Sequence, residues 1–400
     1  MKKYIIVYLL ALCQLNAFSQ VADKFLIKAA MLSDSKMYED AATAIAQSTS
    51  GNTKIYNKVL GDINLGLKNY DTAIDNYVKA GEVSNETYNL DLAKAYAMSG
   101  NKPKALEYLT QYLKQKNKLP LSKINNDEAF IKYRSDPDWQ KTLQNADYSD
   151  LEIAVNRINS LAEAGYNEYF NTAINEALSK YPSNSELLYQ QSRYFEENKL
   201  YSAALKSITQ ALSQKPQNDL FLNQKAMMLW KNNETYKALT AINEAINLNP
   251  FNLKYYITRI DLNKAQGNTD KVNEDAGFIE FCVPENAEVQ LVKIQAEIEK
   301  QNYFTALTLV NTLLEKDKNN AKYYIVRGNI YLKALKYQNA DNDFGMSLDL
   351  NPSDPEANLG KGIAKIKLND ITSGCFYLQK ASNEGNREAI EYVSQYCNKN

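Results

Sequence analysis

Histidine is missing from all 400 residues. That removes Ser/His/Asp and Cys/His catalytic arrangements, zinc sites of the HExxH type and histidine proton shuttles. The four cysteines include no CxxC pair, so no zinc-binding spacing exists. An apolar share of 44% and a charged share of 23% exclude a disordered or collagen-like polymer. Neither sign of charge dominates, with 46 basic against 47 acidic residues, so nothing steers the chain onto nucleic acid or anionic lipid. After the short run Tyr4-Ile5-Ile6-Val7-Tyr8-Leu9-Leu10-Ala11-Leu12, no stretch approaches the roughly 20 apolar residues of a membrane-crossing helix. The expectation is a chain with no catalytic centre, metal, cofactor, nucleic-acid partner or membrane span.

Charged Met1-Lys2-Lys3, that apolar run, and Ala17-Phe18-Ser19 before Gln20 together read as an export leader over residues 1–19, cleaved after Ser19. Its removal takes Lys2 and Lys3 away and leaves 44 basic against 47 acidic residues. The expected location is periplasmic or secreted. Lipidation at Cys13, the alternative, is disfavoured because Leu12 is bulkier than the Gly, Ala or Ser that precedes the cysteine in such signals.

What is present is a period. Pro182, Pro216, Pro250, Pro284 and Pro352 follow helix-like segments in one 34-residue frame, with Lys318 in the slot between Pro284 and Pro352. The clearest unit runs from Ala321 to Asp354, with Tyr324, Gly328 and Tyr331 on a first helix, Tyr337, Ala340, Phe344 and Ser347 on a second, and Pro352 ending it. Small Gly328, Ala340 and Ser347 let two helices approach, aromatics fill the gaps, and a helix cannot continue through proline. The frame recurs as Ala204, Ala211, Ala226, Ala238, Ala245, Ala306, Gly362, Gly374 and Ala381, while Ile158, Ile260 and Ile294 stand where a small residue is usual. Upstream, Ala41, Ala73 and Ala105 are 32 residues apart, each twelve residues after Ala29, Gly61 and Ala93.

These residues and this period resemble the tetratricopeptide (TPR) repeat family. The resemblance implies an all-α helix-turn-helix solenoid, a right-handed superhelix of about ten repeats in two blocks. Residues 20–119 form a three-repeat block, 120–150 a helical cap and linker around Phe130, Tyr133 and Trp139, 151–385 a seven-repeat block and 386–400 a capping helix. Composition and the Phe-Ser-Gln leader ending resemble envelope TPR proteins of Bacteroidota-like bacteria.

Family members bind peptides on the concave side of their first helices. Carried onto this chain, that face holds Tyr189, Arg193, Glu196, Asn223, Met227, Trp230, Asp261, Lys264 and Asn329. Large aromatics beside Arg and Asn are typical interface anchors; a merely solvated face is the plain alternative. The family's carboxylate-binding clamp is not expected, since Val155 and Ile325 replace its lysine. The function implied is a non-catalytic scaffold or assembly factor of the cell envelope that binds a protein or peptide; the alternative is glycan or small-ligand capture by concave aromatics.

Arg259 and Arg327 sit on first helices, and Asp275 and Asp343 follow sixteen residues later. That recurrence favours ion pairs between the two helices of a repeat over ligand binding. Cys375 and Cys397 are placed to be level across Gly385, which points to a disulfide, with two separate thiols as the alternative. Cys282 then remains a core cysteine.

Overall fold

The computed structural model describes residues 23–84, 88–116 and 118–397. The leader and Cys13 lie outside these. Among the described residues there is no strand, and the helices form ten successive pairs. Local chemistry sets their ends. Asn184, Asn218 and Asn252, one period apart, each accept a backbone N–H from the first turn of the helix that follows, which satisfies a donor the helix itself cannot. Within each pair the turn needs one left-handed residue: Lys199, Asn233, Gly267, Gln301, Leu335 and Asn369 all have positive φ. The next N–H then reaches back to close the helix, as Leu200 does to Phe195 and Glu234 to Leu229, both at 2.8 Å.

Small residues mark the crossings. Ala204, Ala238, Ala306 and Ala340 are completely buried, and so are Ala29, Ala41, Ala73 and Ala93. A Cβ on Gly328 would come within 2.9 Å of the Phe344 ring, and one on Gly360 would overlap the same ring. Phe344 therefore fills the space that two glycines leave. Ile158, Ile260 and Ile294 are buried at the same register, so these repeats keep the pairing with a larger contact residue.

The chain divides into two compact units, through Val283 and from Pro284. The first holds seven helix pairs and the short elements Leu121–Asn126, Glu128–Tyr133 and Pro137–Gln144. There Phe130 and Trp139, their ring centres 4.7 Å apart, are buried against Ala93, Ala97, Ala105 and Leu109 of the third pair. Asp136 starts the last of these elements by accepting the N–H groups of Asp138 and Trp139. The second unit holds three pairs and the helix Arg387–Tyr396, whose end is tied back by the Cys375–Cys397 disulfide.

Candidate functional site

The first helices of consecutive repeats, Asp150–Ala164, Ser185–Glu197, Asp219–Lys231 and Leu253–Ala265, carry the candidate residues of the first unit. Residues 34 apart occupy the same position on adjacent helices, so Tyr189 and Asn223 share one register, Arg193, Met227 and Asp261 a second, and Glu196, Trp230 and Lys264 a third.

Two sets of hydrogen bonds link adjacent helices of these repeats. Gln190 Nε2 donates to Asn159 Oδ1 at 2.8 Å, and Tyr166 donates its hydroxyl to Gln190 Oε1 at 3.0 Å. Arg193 lies 3.6 Å from Glu196, which accepts Gln224 Nε2 at 2.9 Å. Burial works against the Arg193 charge, but Glu196 and the neighbouring tyrosines Tyr189 and Tyr166 outweigh it and move the pKa up. The guanidinium thus keeps its charge while the side chain stays partly open. Tyr189 stacks on Phe221, centroids 5.3 Å apart, and burial raises its hydroxyl pKa. Asn223 is buried, with Nδ2 facing Met227 Sδ at 3.8 Å and Oδ1 unpartnered. Trp230 is half-buried, with the Lys231 ammonium 5.0 Å from its ring, and Lys264 pairs with Asp261 at 3.7 Å.

The structure thus brings Arg193 and Glu196 together, with Tyr189 near enough to act on the Arg193 charge. Asn329 is exposed on Ala321–Lys333 in the second unit. Sequence reading missed Gln190 and Gln224, which carry hydrogen bonds between helices although they share one register, 34 residues apart; a polar side chain at a solvated-looking position does not reveal its partner.

The arginine pairs have three arms rather than two. Arg259 donates Nε and Nη2 to Asp275 at 2.8 and 2.6 Å, and Nη1 to Asn243 at 2.7 Å. Arg327 repeats this with Asp343 and Asn311, all at 2.8 Å. Each guanidinium lies 5.6 Å from a tyrosine ring, Tyr256 or Tyr324. Three helices are tied by one side chain. The asparagines were legible in principle, since each stands sixteen residues before its arginine.

Two further polar clusters occur in the first unit. Lys58 sits between Asp62, 2.6 Å away, and Asp91, at 3.7 Å, and Tyr77 donates to Asp62 at 3.0 Å. Burial, with Asp62 adding to it, raises the Asp34 pKa nearby. Separately, a cleft of about 470 Å³ is lined by Lys114, Lys116, Lys118, Asn145 and Glu152 among others. Lys118 is buried there and bonded to Glu152 at 2.9 Å. Burial disfavours the Glu152 carboxylate, but bonds from Lys118 and Ser149 outweigh it and hold its pKa at about 2. Among the described residues no group of three or more metal-ligating side chains comes together. Cys282 is fully buried, and burial pushes its thiol up to about 12, far from a nucleophile's range.

No protein-family model matches the chain, and no curated protein matches it. Solved structures do. A tetratricopeptide repeat protein from Parabacteroides merdae ATCC 43184 matches with a TM-score of 0.52 and 20% identity over 62% of this chain and 98% of that one. The APC/C hetero-tetramer Cut9-Hcn1 matches with 0.55 and 15% over 91% of this chain and 82% of that one. Human IFIT1, solved as a dimer with m7Gppp-AAAA, matches with 0.52 and 13% over 95% and 87%. At these identities the likeness speaks to fold. The chain has the architecture of a tetratricopeptide-repeat helical solenoid.

Proposed function

We propose that this protein is a non-catalytic scaffold or assembly factor of the bacterial cell envelope, which holds an extended segment of a partner protein on the first helices of its middle repeats. The observation that carries this reading is the fixed polar network around Arg193 and Glu196, flanked by half-buried Tyr189 and Trp230. Prepositioned charge beside aromatic surface lowers the ordering cost of binding. The leader-like N-terminus and the Cys375–Cys397 bond fit an oxidising compartment. No helix among the described residues is long and apolar enough to cross a membrane.

One comparison structure carries a capped RNA oligonucleotide. Here the near balance of basic and acidic residues disfavours RNA, because backbone affinity rests on excess Lys and Arg. Glycan capture would need a continuous strip of open aromatic faces, whereas Tyr189 is already stacked on Phe221.

The test is recovery of envelope proteins by immobilised wild type and by the Arg193→Ala, Trp230→Ala double variant, both shown to melt alike. A partner lost from the variant by about ten-fold or more supports the site. Equal recovery of the same partners sinks it.

A further inference from the structure

Among the described residues, the first and last helices of the first unit lie far apart in its sequence, yet they meet. Phe25 of Lys24–Asp34 packs edge-on against Phe281 of Thr269–Cys282, centroids 5.6 Å apart. The Lys28 ammonium lies 4.6 Å from the Phe281 ring and that of Lys24 lies 5.4 Å from it. Phe251, from the turn before Leu253, packs on the cluster of Leu26, Ala29, Leu32, Ala41, Val59 and Ile63.

This contact is built unlike the helix crossings within each repeat. Those are closed by fully buried small residues such as Ala204 and Ala238, whose close approach cannot be undone without exposing a core. Here Phe25, Phe251 and Phe281 are only partly buried, and two lysines lie over the rings. Each helix also keeps its own anchorage. Leu26, Ala29 and Leu32 pack with Ala41 and Ile45, and Ala276 and Ile279 are buried on the other helix. Separating the two helices costs the facing aromatic contacts, the cover Phe251 gives that cluster and the burial of Cys282, while these contacts within each repeat need not be broken.

We propose that Lys24–Asp34 is a clasp, which closes the first unit end to end and opens without unfolding it. The intervening repeats then have one curvature when it is shut and are free to flex when it is released. The claim does not rest on the inner-face binding site.

Cys282 reports on the clasp. It follows Phe281, is completely buried, and lies near enough to Lys28 for that charge to act on its thiol. With Cys375 and Cys397 bonded, a Cys13→Ser background leaves Cys282 as the sole free thiol of the full chain. Its reaction with a disulfide-exchange reagent is followed under native conditions, with and without Phe25→Ser, alongside helicity and the unfolding midpoint. The clasp predicts that Phe25→Ser speeds labelling roughly ten-fold while helicity is retained, the change expected for loss of an aromatic pair. Equal rates in the two proteins overturn it. Should Phe25→Ser fold poorly, the unsubstituted background decides: labelling nearly independent of urea below the unfolding transition supports the clasp, and labelling that only tracks global unfolding overturns it.

Discussion

Leu335 is a bulky side chain in a left-handed conformation, φ 58°, and is 69% exposed. Nothing it buries offsets that conformation, which disfavours a branched L-residue by roughly 1–2 kcal/mol. Gly267 occupies the same turn position two repeats earlier at φ 71°, with open space where a Cβ would stand. Conformation alone distinguishes the two. Leu335→Gly should raise stability by about 0.5–1 kcal/mol, after the entropy glycine restores to the unfolded chain, and Gly267→Ala should lower it by about 1 kcal/mol. Urea midpoints at constant slope check both, and a neutral Gly267→Ala would refute the argument. At this scale the sequence was readable where a steric need recurs: Ala204, Ala238, Gly328 and Ala340 are buried at the crossings their spacing marks. Asn223 was less so. Its register placed it on the inner face, but its burial depends on neighbouring side chains that the register does not describe.

At the scale of helices, the arginine triads show how far polar groups are already spent inside the repeats. Arg327 binds Asp343 on the second helix of its repeat and Asn311 on the second helix of the preceding one, and the Asp343 carboxylate is buried. Removing one partner strands a buried charge, whereas removing both does not. Arg327→Met or Asp343→Asn should each cost about 3 kcal/mol, and Arg327→Met with Asp343→Leu should recover most of it. A double-mutant cycle in denaturant measures the coupling. If the single variants melt like wild type, the triad is not structural and Arg327 is free for another task. The spacing of Arg and Asp was visible in one dimension; the asparagine arm, at the same sixteen-residue spacing, belongs to the adjoining repeat.

Across the molecule, the two ends are held in different ways. The last helix, Arg387–Tyr396, has Ala389 as its fully buried residue and is tied by a disulfide across 22 residues. Reduction should release about 3 kcal/mol of stabilisation. Hydrogen exchange should then rise in residues 387–396 and leave the helices of the first unit protected; uniform loss of protection would contradict a local role. The first described helix is held instead by the non-local contact of Phe25 with Phe281. The boundary at Val283 follows the same logic, since non-local packing of this kind ties Lys24–Asp34 to Thr269–Cys282 within one unit. The amino-acid sequence alone determined helix pairing, the places of closest approach and the cysteine pair, because these arise between near neighbours and repeat with a fixed period. Only the tertiary structure decided which polar side chains are already consumed and where distant helices touch, because those outcomes depend on the rotation accumulated over many repeats, to which no single residue or spacing corresponds.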